Sequence, residues 1–289
     1  MEKFYEIIKQ KLLMAFVKFY GEKNKKYISE RFNNCKVILY DEIPLQDNND
    51  IRNHIKTSIS DEELNVILNA RKNKVFLQSA YIEEFDLLVL PQNFNMTHWV
   101  HECNHMLSTH ILSTHPLKSI SGISETIECG GWAEVFDEFL NETVNQLMTI
   151  EILNILGEKA ESSWQEVMFP ILNGFYGEFK EDLKQLFLSG NLDEFKNYLG
   201  KSHFEQFSQS VFRVGFKIRR ALGKGENALI GENEINRIKQ IVKIMKGNVV
   251  GFTEDGNTAT SHANNLEVVE SAKSNKSNTS EKIAEERIL

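Results

Sequence analysis

The chain has 289 residues, 41% of them hydrophobic, which is enough to enclose one large or two ordinary hydrophobic cores. Its formal net charge of -8 argues against a nucleic-acid-binding protein, because such a protein needs a basic surface to displace counterions. Three cysteines, Cys35, Cys103 and Cys129, are too few and too scattered for a disulfide framework or a thiolate zinc site.

The N-terminal region has no predicted membrane or export signal. Its longest early apolar run, Leu12 to Val17, lies between Lys11 and Lys18. The run is too short to cross a membrane, and no small-residue cleavage site follows it. We therefore expect no membrane association, and a cytoplasmic location.

The region that precedes the histidines predicts a mixture of helices and strands. Residues 2–20 carry apolar side chains at a helical period, which predicts an amphipathic helix packed on the core. Glu84 to Leu90 predicts a strand that could form a rim against which an extended peptide pairs. The other elements predicted here are a helix over 21–34, a strand over 35–40, a helix over 61–72 and a strand over 74–78.

The region that follows the histidines predicts a few strands and then helices. Lys118 to Glu128 alternates between apolar and polar residues and predicts one strand, and Trp132 to Phe136 predicts a second strand after a turn at Gly130-Gly131. A helix is predicted from Glu138 to Leu156. The helical pattern then continues from 159 to 246, with predicted breaks at Gly174, Gly177, Gly190, Gly200 and Gly223–Gly225. Residues beyond Phe252 are polar and predict a disordered tail.

The segment from Thr97 to Leu107 contains His101-Glu102-x-x-His105, the spacing of a zinc hydrolase. On a helix, four residues turn the chain about 400°, so both imidazoles leave from one face and can share one metal ion. Glu102 is one residue further on and can reach a water at that metal without being a ligand. The motif therefore predicts two metal ligands, His101 and His105, and a general base, Glu102.

A catalytic zinc site needs a third protein ligand, and the sequence offers several candidates. A third histidine ten residues after the first is absent, because Ile111 occupies that position. Glu134, Glu138 and Glu142 are spaced four apart, so all three would share one face of a continuous helix. The turn signal at 130–131 and the strand pattern after it indicate that Glu134 belongs to a strand and points away from the ligands.

The two motifs together resemble the gluzincins, the zinc peptidases that include thermolysin. In that family an Asn-Glu pair on a helix supplies the third ligand, and Asn141-Glu142 matches this pair. The resemblance implies that His101, His105 and Glu142 bind Zn²⁺ and that the protein hydrolyses peptide bonds. It covers roughly residues 75–200.

The sequence is similar in more detail to uncharacterised bacterial zinc peptidases with the motif Leu-Asn-Glu-Gly-x-Thr-Gln-Leu-Leu-Thr. It departs from them at Thr143, where they usually have Gly, and at Asn145, where they have Thr. Gln146 occupies a position where an acid could have paired with a ligand histidine, as in thermolysin. The interval between His105 and Glu142 is also longer than in the gluzincins.

Other side chains near the motifs have two possible roles. His98 lies three residues before His101 on the same helical face, and it is either a fourth ligand or a packed neighbour of the site. Cys103 is predicted to be a buried small hydrophobe rather than a regulatory thiol. Side chains without an assigned role are Tyr176, Tyr198 and His203, which could stabilise an oxyanion, His110 and His115, predicted at the surface, and Lys217, Arg219 and Arg220, predicted on a solvated helix face.

The sequence as a whole predicts an α+β protein. A zincin-like catalytic lobe, with a small sheet and an active-site helix, is expected over 1–156, a mainly helical lobe over 157–250 and a polar tail over 251–289. The expected activity is zinc-dependent hydrolysis of a peptide or protein substrate, with Glu102 as the base. The alternative is a non-catalytic interaction protein that retains the fold and the metal site. The presence of Glu102 argues against it, because a structural site has no use for a base beside its ligands.

Overall fold

The computed structural model of the chain describes residues 2–40, 60–62, 64–65, 79–91, 95–129, 132–226 and 229–255. Over these ranges the protein is a mixed α+β structure, with two small sheets and several helices around one continuous hydrophobic core. None of the helices in these ranges is long and apolar enough to cross a membrane.

Helices make up most of the described structure. The α-helices are α1 Glu2–Tyr20, α2 Lys25–Asn34, α3 Met96–Ser108, α4 Glu138–Leu156, α5 Phe169–Ser189, α6 Leu192–Tyr198, α7 Lys201–Gly223 and α8 Glu232–Asp255. The predictions over 2–20 and 138–156 are confirmed. The breaks predicted at Gly174 and Gly177 are wrong in position, because α5 runs through both glycines and is kinked at Phe179 instead, where φ is -116°. A glycine inside a helix costs only about 1 kcal/mol relative to alanine, and α5 buries a row of large apolar side chains that offsets it.

The first sheet consists of β1 Lys36–Tyr40, β2 Ala80–Ile82 and β3 Leu87–Pro91, in the order β1-β3-β2. The strand predicted from Glu84 starts later, because Glu83–Phe85 forms a 3₁₀ turn that ends at Asp86 with φ 46°. β3 pairs with β1 on one side and with β2 on the other, so it is not the predicted rim. Its unbroken Leu and Val run is typical of an interior strand that is buried on both faces.

The second sheet is an antiparallel meander of β4 Thr109–Thr114, β5 Leu117–Ser121, β6 Ser124–Cys129 and β7 Trp132–Phe136. The single strand predicted over Lys118 to Glu128 is in fact the hairpin β5–β6. Its turn contains Gly122 with φ 59°, where a Cβ would meet the Asn141 side chain at 2.5 Å. A residue with a side chain is thus excluded from position 122, although the apolar-polar alternation continues through the turn. The predicted strand over 132–136 is confirmed as β7.

Some predictions fall outside the described residues. These are the strand over 74–78, most of the helix over 61–72, the turn at 130–131 and most of the polar tail predicted over 251–289. The predicted start of the tail is wrong, because α8 continues to Asp255. The lobe boundary predicted at 156 coincides with the end of α4. Buried residues on both sides of that boundary, such as Met148 and Phe175, belong to the same core.

Candidate metal centre

α3, which carries both histidines, is held at both ends by side-chain hydrogen bonds. At its start the Asn95 side chain accepts from the backbone N–H groups of Thr97 and His98, at 2.9 and 3.3 Å. At its end Tyr27 and Arg31 of α2 donate to carbonyl groups of the last turn, each at 2.8 Å. Both sets of unpaired backbone groups at the helix ends therefore have partners, and the helix has a defined position.

The ligand atoms of His101, His105 and Glu142 converge between α3 and α4. His101 Nε2 lies 3.2 Å from Glu142 Oε2, His105 Nε2 lies 3.1 Å from Glu142 Oε1, and the two Nε2 atoms are 3.1 Å apart. In the described part of the chain, this is the one group of His, Cys, Asp and Glu side chains that could hold a metal ion. The three residues predicted as ligands are thus brought together.

The spacing of these atoms fits a shared metal ion. Two atoms bound about 2.1 Å from one ion at a tetrahedral angle lie about 3.4 Å apart, close to the separations of 3.1 to 3.2 Å found here. The side chains are exposed by 11% for His101, 14% for His105 and 26% for Glu142. The cluster is therefore largely enclosed by protein but keeps one accessible side, as a catalytic metal site requires.

The second ring nitrogen of each histidine faces an oxygen atom. His101 Nδ1 lies 3.0 Å from Gln146 Oε1, and His105 Nδ1 lies 3.5 Å from Ser121 Oγ. The Gln146 amide oxygen can only accept, so it favours the His101 tautomer that carries its proton at Nδ1 and leaves Nε2 free to bind a metal, whereas the Ser121 hydroxyl can either accept from His105 or donate to it. The sequence suggested that Gln146 weakens this support, whereas its amide oxygen provides it.

Asn141, the residue before the third ligand, has a separate structural role. Its Oδ1 accepts a hydrogen bond of 3.0 Å from the backbone N–H of Ile123, in the turn between β5 and β6. The same turn is tied to the end of α3 through Gly122 N–H and the Ser108 carbonyl, 3.1 Å apart. These two bonds fix the position of Ser121, which faces His105. Of the two adjacent residues, Asn141 thus holds the turn between β5 and β6, and Glu142 belongs to the ligand cluster.

The charges of the cluster are strongly coupled. Burial alone would lower the pKa of His105, but the Glu142 carboxylate beside it raises that pKa to about 9. Burial alone would raise the pKa of Glu142, but the charge of His105 and hydrogen bonds from both imidazoles hold it well below its usual range. Glu142 is therefore an anion at neutral pH, the form in which a carboxylate binds a metal ion.

Glu102 lies next to this cluster and is held by the edge of the first sheet. The backbone N–H of Tyr81 in β2 donates to its Oε2 at 2.9 Å, and the Ser79 hydroxyl donates to its Oε1 at 3.2 Å. The Tyr81 hydroxyl is fixed in turn by Arg31 and Asp86, at 3.0 and 2.8 Å. The predicted base is therefore not a ligand, and its carboxylate has a defined orientation beside the ligands.

A cleft with a volume of about 900 Å³ opens beside these residues. Its walls are formed by β2, by one face of the second sheet and by the C-terminal end of α7. His101, Glu102, His105 and Glu142 all line it. Lining residues that the sequence reasoning missed include Trp164, Leu222 and Arg219, whose guanidinium lies 4.0 Å from Glu138. Arg219 was predicted on a solvated helix face, and no local pattern indicates that this end of α7 reaches the cleft.

The remaining candidates lie outside the ligand cluster. Glu134 is an exposed residue of β7, as predicted, and Glu138 is exposed at the start of α4. His98 does not belong to the cluster, and burial lowers its pKa. Cys103 is buried, as predicted.

None of the three candidate oxyanion residues, Tyr176, Tyr198 and His203, lines the cleft described above. Of the two histidines predicted at the surface, His115 is exposed, whereas His110 is half-buried in β4, with its Nε2 3.1 Å from the Phe187 carbonyl.

Comparisons of the chain with protein-family models, with curated proteins and with solved structures returned no match.

Proposed function

We propose that this protein is a zinc-dependent peptidase with a zincin-like fold. In this proposal His101, His105 and Glu142 hold the ion, and Glu102 is the general base. One observation carries it: the Nε2 atoms of His101 and His105 lie 3.1 Å apart, and each lies 3.1 to 3.2 Å from one oxygen of the Glu142 carboxylate, beside the Glu102 carboxylate and at the wall of an open cleft.

The ligand set supports zinc, because two imidazoles and one carboxylate form a common set of protein ligands in catalytic zinc sites. A zinc ion bound there supplies a Lewis acid that polarises a carbonyl group and lowers the pKa of water. Gln146 and Ser121 orient the two imidazoles towards the ion through their Nδ1 atoms. The protein thus provides both the charge and the orientation that the ion needs.

Glu102 moves the proton in this proposal. Its carboxylate accepts a proton from the attacking water and later delivers it to the nitrogen of the leaving amine. Tyr81 N–H and the Ser79 hydroxyl hold the carboxylate in one rotamer, so it does not have to be ordered during the reaction. Such preorganisation is typical of a catalytic group.

The cleft supports a peptide as the substrate. Its volume of about 900 Å³ is at the upper end of the usual range for ligand pockets, so it has room for several amino-acid residues. Its lining combines backbone of β2, apolar side chains such as Trp164 and Leu222, and charged groups such as Arg219. A chain with varied side chains and a polar backbone can make contacts of all three kinds.

The test compares Glu102→Gln with the parent and with Glu205→Gln, a matched control at an exposed glutamate outside the cleft. The amide is nearly isosteric but cannot take up a proton, so we expect hydrolysis of a fluorogenic peptide library to fall by at least about 100-fold. Bound zinc should be unchanged in both variants. The control should retain the parent activity.

Parent turnover in Glu102→Gln would contradict the role of the base. A parent that binds zinc and cleaves no member of the library would instead favour the non-catalytic interaction protein.

A further inference from the structure

A chain of three buried side chains lies in the core directly beside the ligand cluster. The Tyr20 hydroxyl donates to Asn104 Oδ1, Asn104 Nδ2 donates to Asn145 Oδ1, and Asn145 Nδ2 donates to the backbone carbonyl of His101 at 3.2 Å. Tyr20 is 3% exposed, and both asparagines are 0% exposed. The chain connects α1, α3 and α4 and ends on a residue of the proposed metal site.

We propose that Tyr20, Asn104 and Asn145 are positioning residues that set the register of α4 against α3 and thereby place Glu142 against the two histidines. This inference rests on the proposed function, because it treats the three ligands as a metal site. If it is correct, replacing these side chains lowers the affinity for metal even where the protein stays folded and stable.

The positions of the asparagines within their helices support this role. Asn104 lies between His101 and His105 on α3, and Asn145 lies between Glu142 and Gln146 on α4. The bond between the two amides is thus within one helical turn of the bond from His101 to Gln146 and of all three ligand atoms. A slip of α4 by one turn would move Glu142 by about 5.4 Å, further than the separations of the ligand atoms.

The energetics of burial make this register specific. An amide buried without a partner costs about 1 to 3 kcal/mol, and the atoms that surround this chain include the Met148 sulfur, 3.7 Å from Asn104 Nδ2. The side-chain oxygen of each asparagine accepts a hydrogen bond from the preceding residue of the chain, and its side-chain nitrogen donates one to the next. Both groups therefore have these partners only when the neighbouring residues keep their present positions. Any other register would leave these groups unpaired in the core. A buried polar network of this kind adds little to the free energy of unfolding, but it selects one relative position of the two helices.

A positioning role and a purely structural role predict different results when both asparagines are replaced. When both partners of a buried hydrogen bond are replaced by apolar groups of similar shape, stability can stay nearly the same. The double variant Asn104→Leu/Asn145→Leu should therefore remain folded. Its melting temperature should fall only by the loss of the bond from Tyr20 to Asn104, because the Met148 sulfur, 3.7 Å away, remains beside that hydroxyl. It would lose the directional contacts that hold α4 in register, and the ligands would no longer converge.

The experiment measures zinc affinity by competition with a chromophoric chelator, together with the melting temperature of each metal-free protein. We expect the double variant to bind zinc about 10- to 100-fold more weakly than the parent, as is typical when the groups that support metal ligands are changed. The visible absorption of Co²⁺ in the site should change as well, because it reports the arrangement of the ligands.

A matched control is Asn248→Leu, which removes an amide bond of 3.1 Å from α8 to the carbonyl of Leu199, the C-cap residue of α6. It should keep the parent affinity and the parent Co²⁺ spectrum. A folded double variant that binds zinc as tightly as the parent, with the same Co²⁺ spectrum, would overturn the inference and leave the proposed function intact.

If the double variant does not fold, Tyr20→Phe decides the question, since it removes only the hydroxyl that begins the chain. A weaker affinity in folded Tyr20→Phe supports the inference, and an unchanged affinity overturns it. A parent that binds no zinc overturns both this inference and the proposed function.

Discussion

Two helix pairs differ sharply in what they bury, and the shorter pair buries far more polar side chains. α3 buries four polar side chains and α4 buries five, whereas Ser208 is the only polar side chain buried by α7 and α8 over their described residues. The nine in the first pair are Thr97, His101, Asn104, Ser108, Asn141, Thr143, Asn145, Gln146 and Thr149.

Burial of a polar group costs free energy unless it is hydrogen-bonded, and a bonded group gains little over an apolar one. α7 and α8 avoid this desolvation cost, because most of the side chains that they bury are apolar, such as Phe207, Val211 and Met245. The α3–α4 pair instead buries polar side chains at several positions around His101, His105 and Glu142. The comparison indicates that this pair maintains the geometry of a site, whereas α7 and α8 mainly supply stability.

The largest effect is expected for Glu142→Ala, which removes a ligand from the polar pair. Zinc affinity should fall by more than the roughly 100-fold that is typical of supporting groups, because only two protein ligands remain. Dialysis against a mild chelator followed by elemental analysis measures the loss. Glu138→Ala and Glu134→Ala are the matched controls and should retain zinc. If Glu142→Ala holds zinc as tightly as the parent, Glu142 is not a ligand.

A large but different effect is expected for Phe207→Ala in the apolar pair. Phe207 is 0% exposed, and its ring centroid lies 4.5 Å from that of Phe175. Its truncation should lower the free energy of unfolding by about 3 to 5 kcal/mol, measured by urea denaturation of the metal-free protein. Zinc affinity, measured well below the unfolding midpoint, should stay at the parent value. A parallel fall in affinity would remove the distinction between the two pairs.

A smaller effect is expected for Gln146→Leu, which removes the oxygen that faces His101 Nδ1. Affinity for zinc should fall about 10- to 100-fold, because the imidazole loses the contact that fixes its orientation and tautomer. Gln165→Leu, at another buried glutamine, is the matched control and should bind zinc like the parent. Equal affinities in both variants would show that Gln146 does not support the ligand.

Helices α1 and α4 were predicted well, and the candidate ligands could be named from the sequence, because their signals are local. The period of apolar residues placed α1 and α4, and the four-residue spacing of His101 and His105 is fixed by the geometry of a helix. The turn signal that separated Glu134 from the helix was also local. The three ligands and Glu102 could therefore be named before their contacts were known.

The features that escaped prediction depend on contacts between distant segments. The Gly122 turn needs the side chain of Asn141, and the support of Glu102 comes from Tyr81, whose hydroxyl is held by Arg31. Arg219 reaches the cleft only because of how α7 packs. The pattern of apolar and polar residues in one segment does not show which distant segment will pack against it.

The most direct test of the account is the zinc content of the purified full-length protein, measured by elemental analysis after zinc addition and dialysis. The account predicts about one zinc per chain in the parent, since the described part of the chain offers one group of three candidate ligands, and almost none in Glu142→Ala. A parent that is fully folded yet retains no zinc would contradict the assignment of a metal centre to His101, His105 and Glu142.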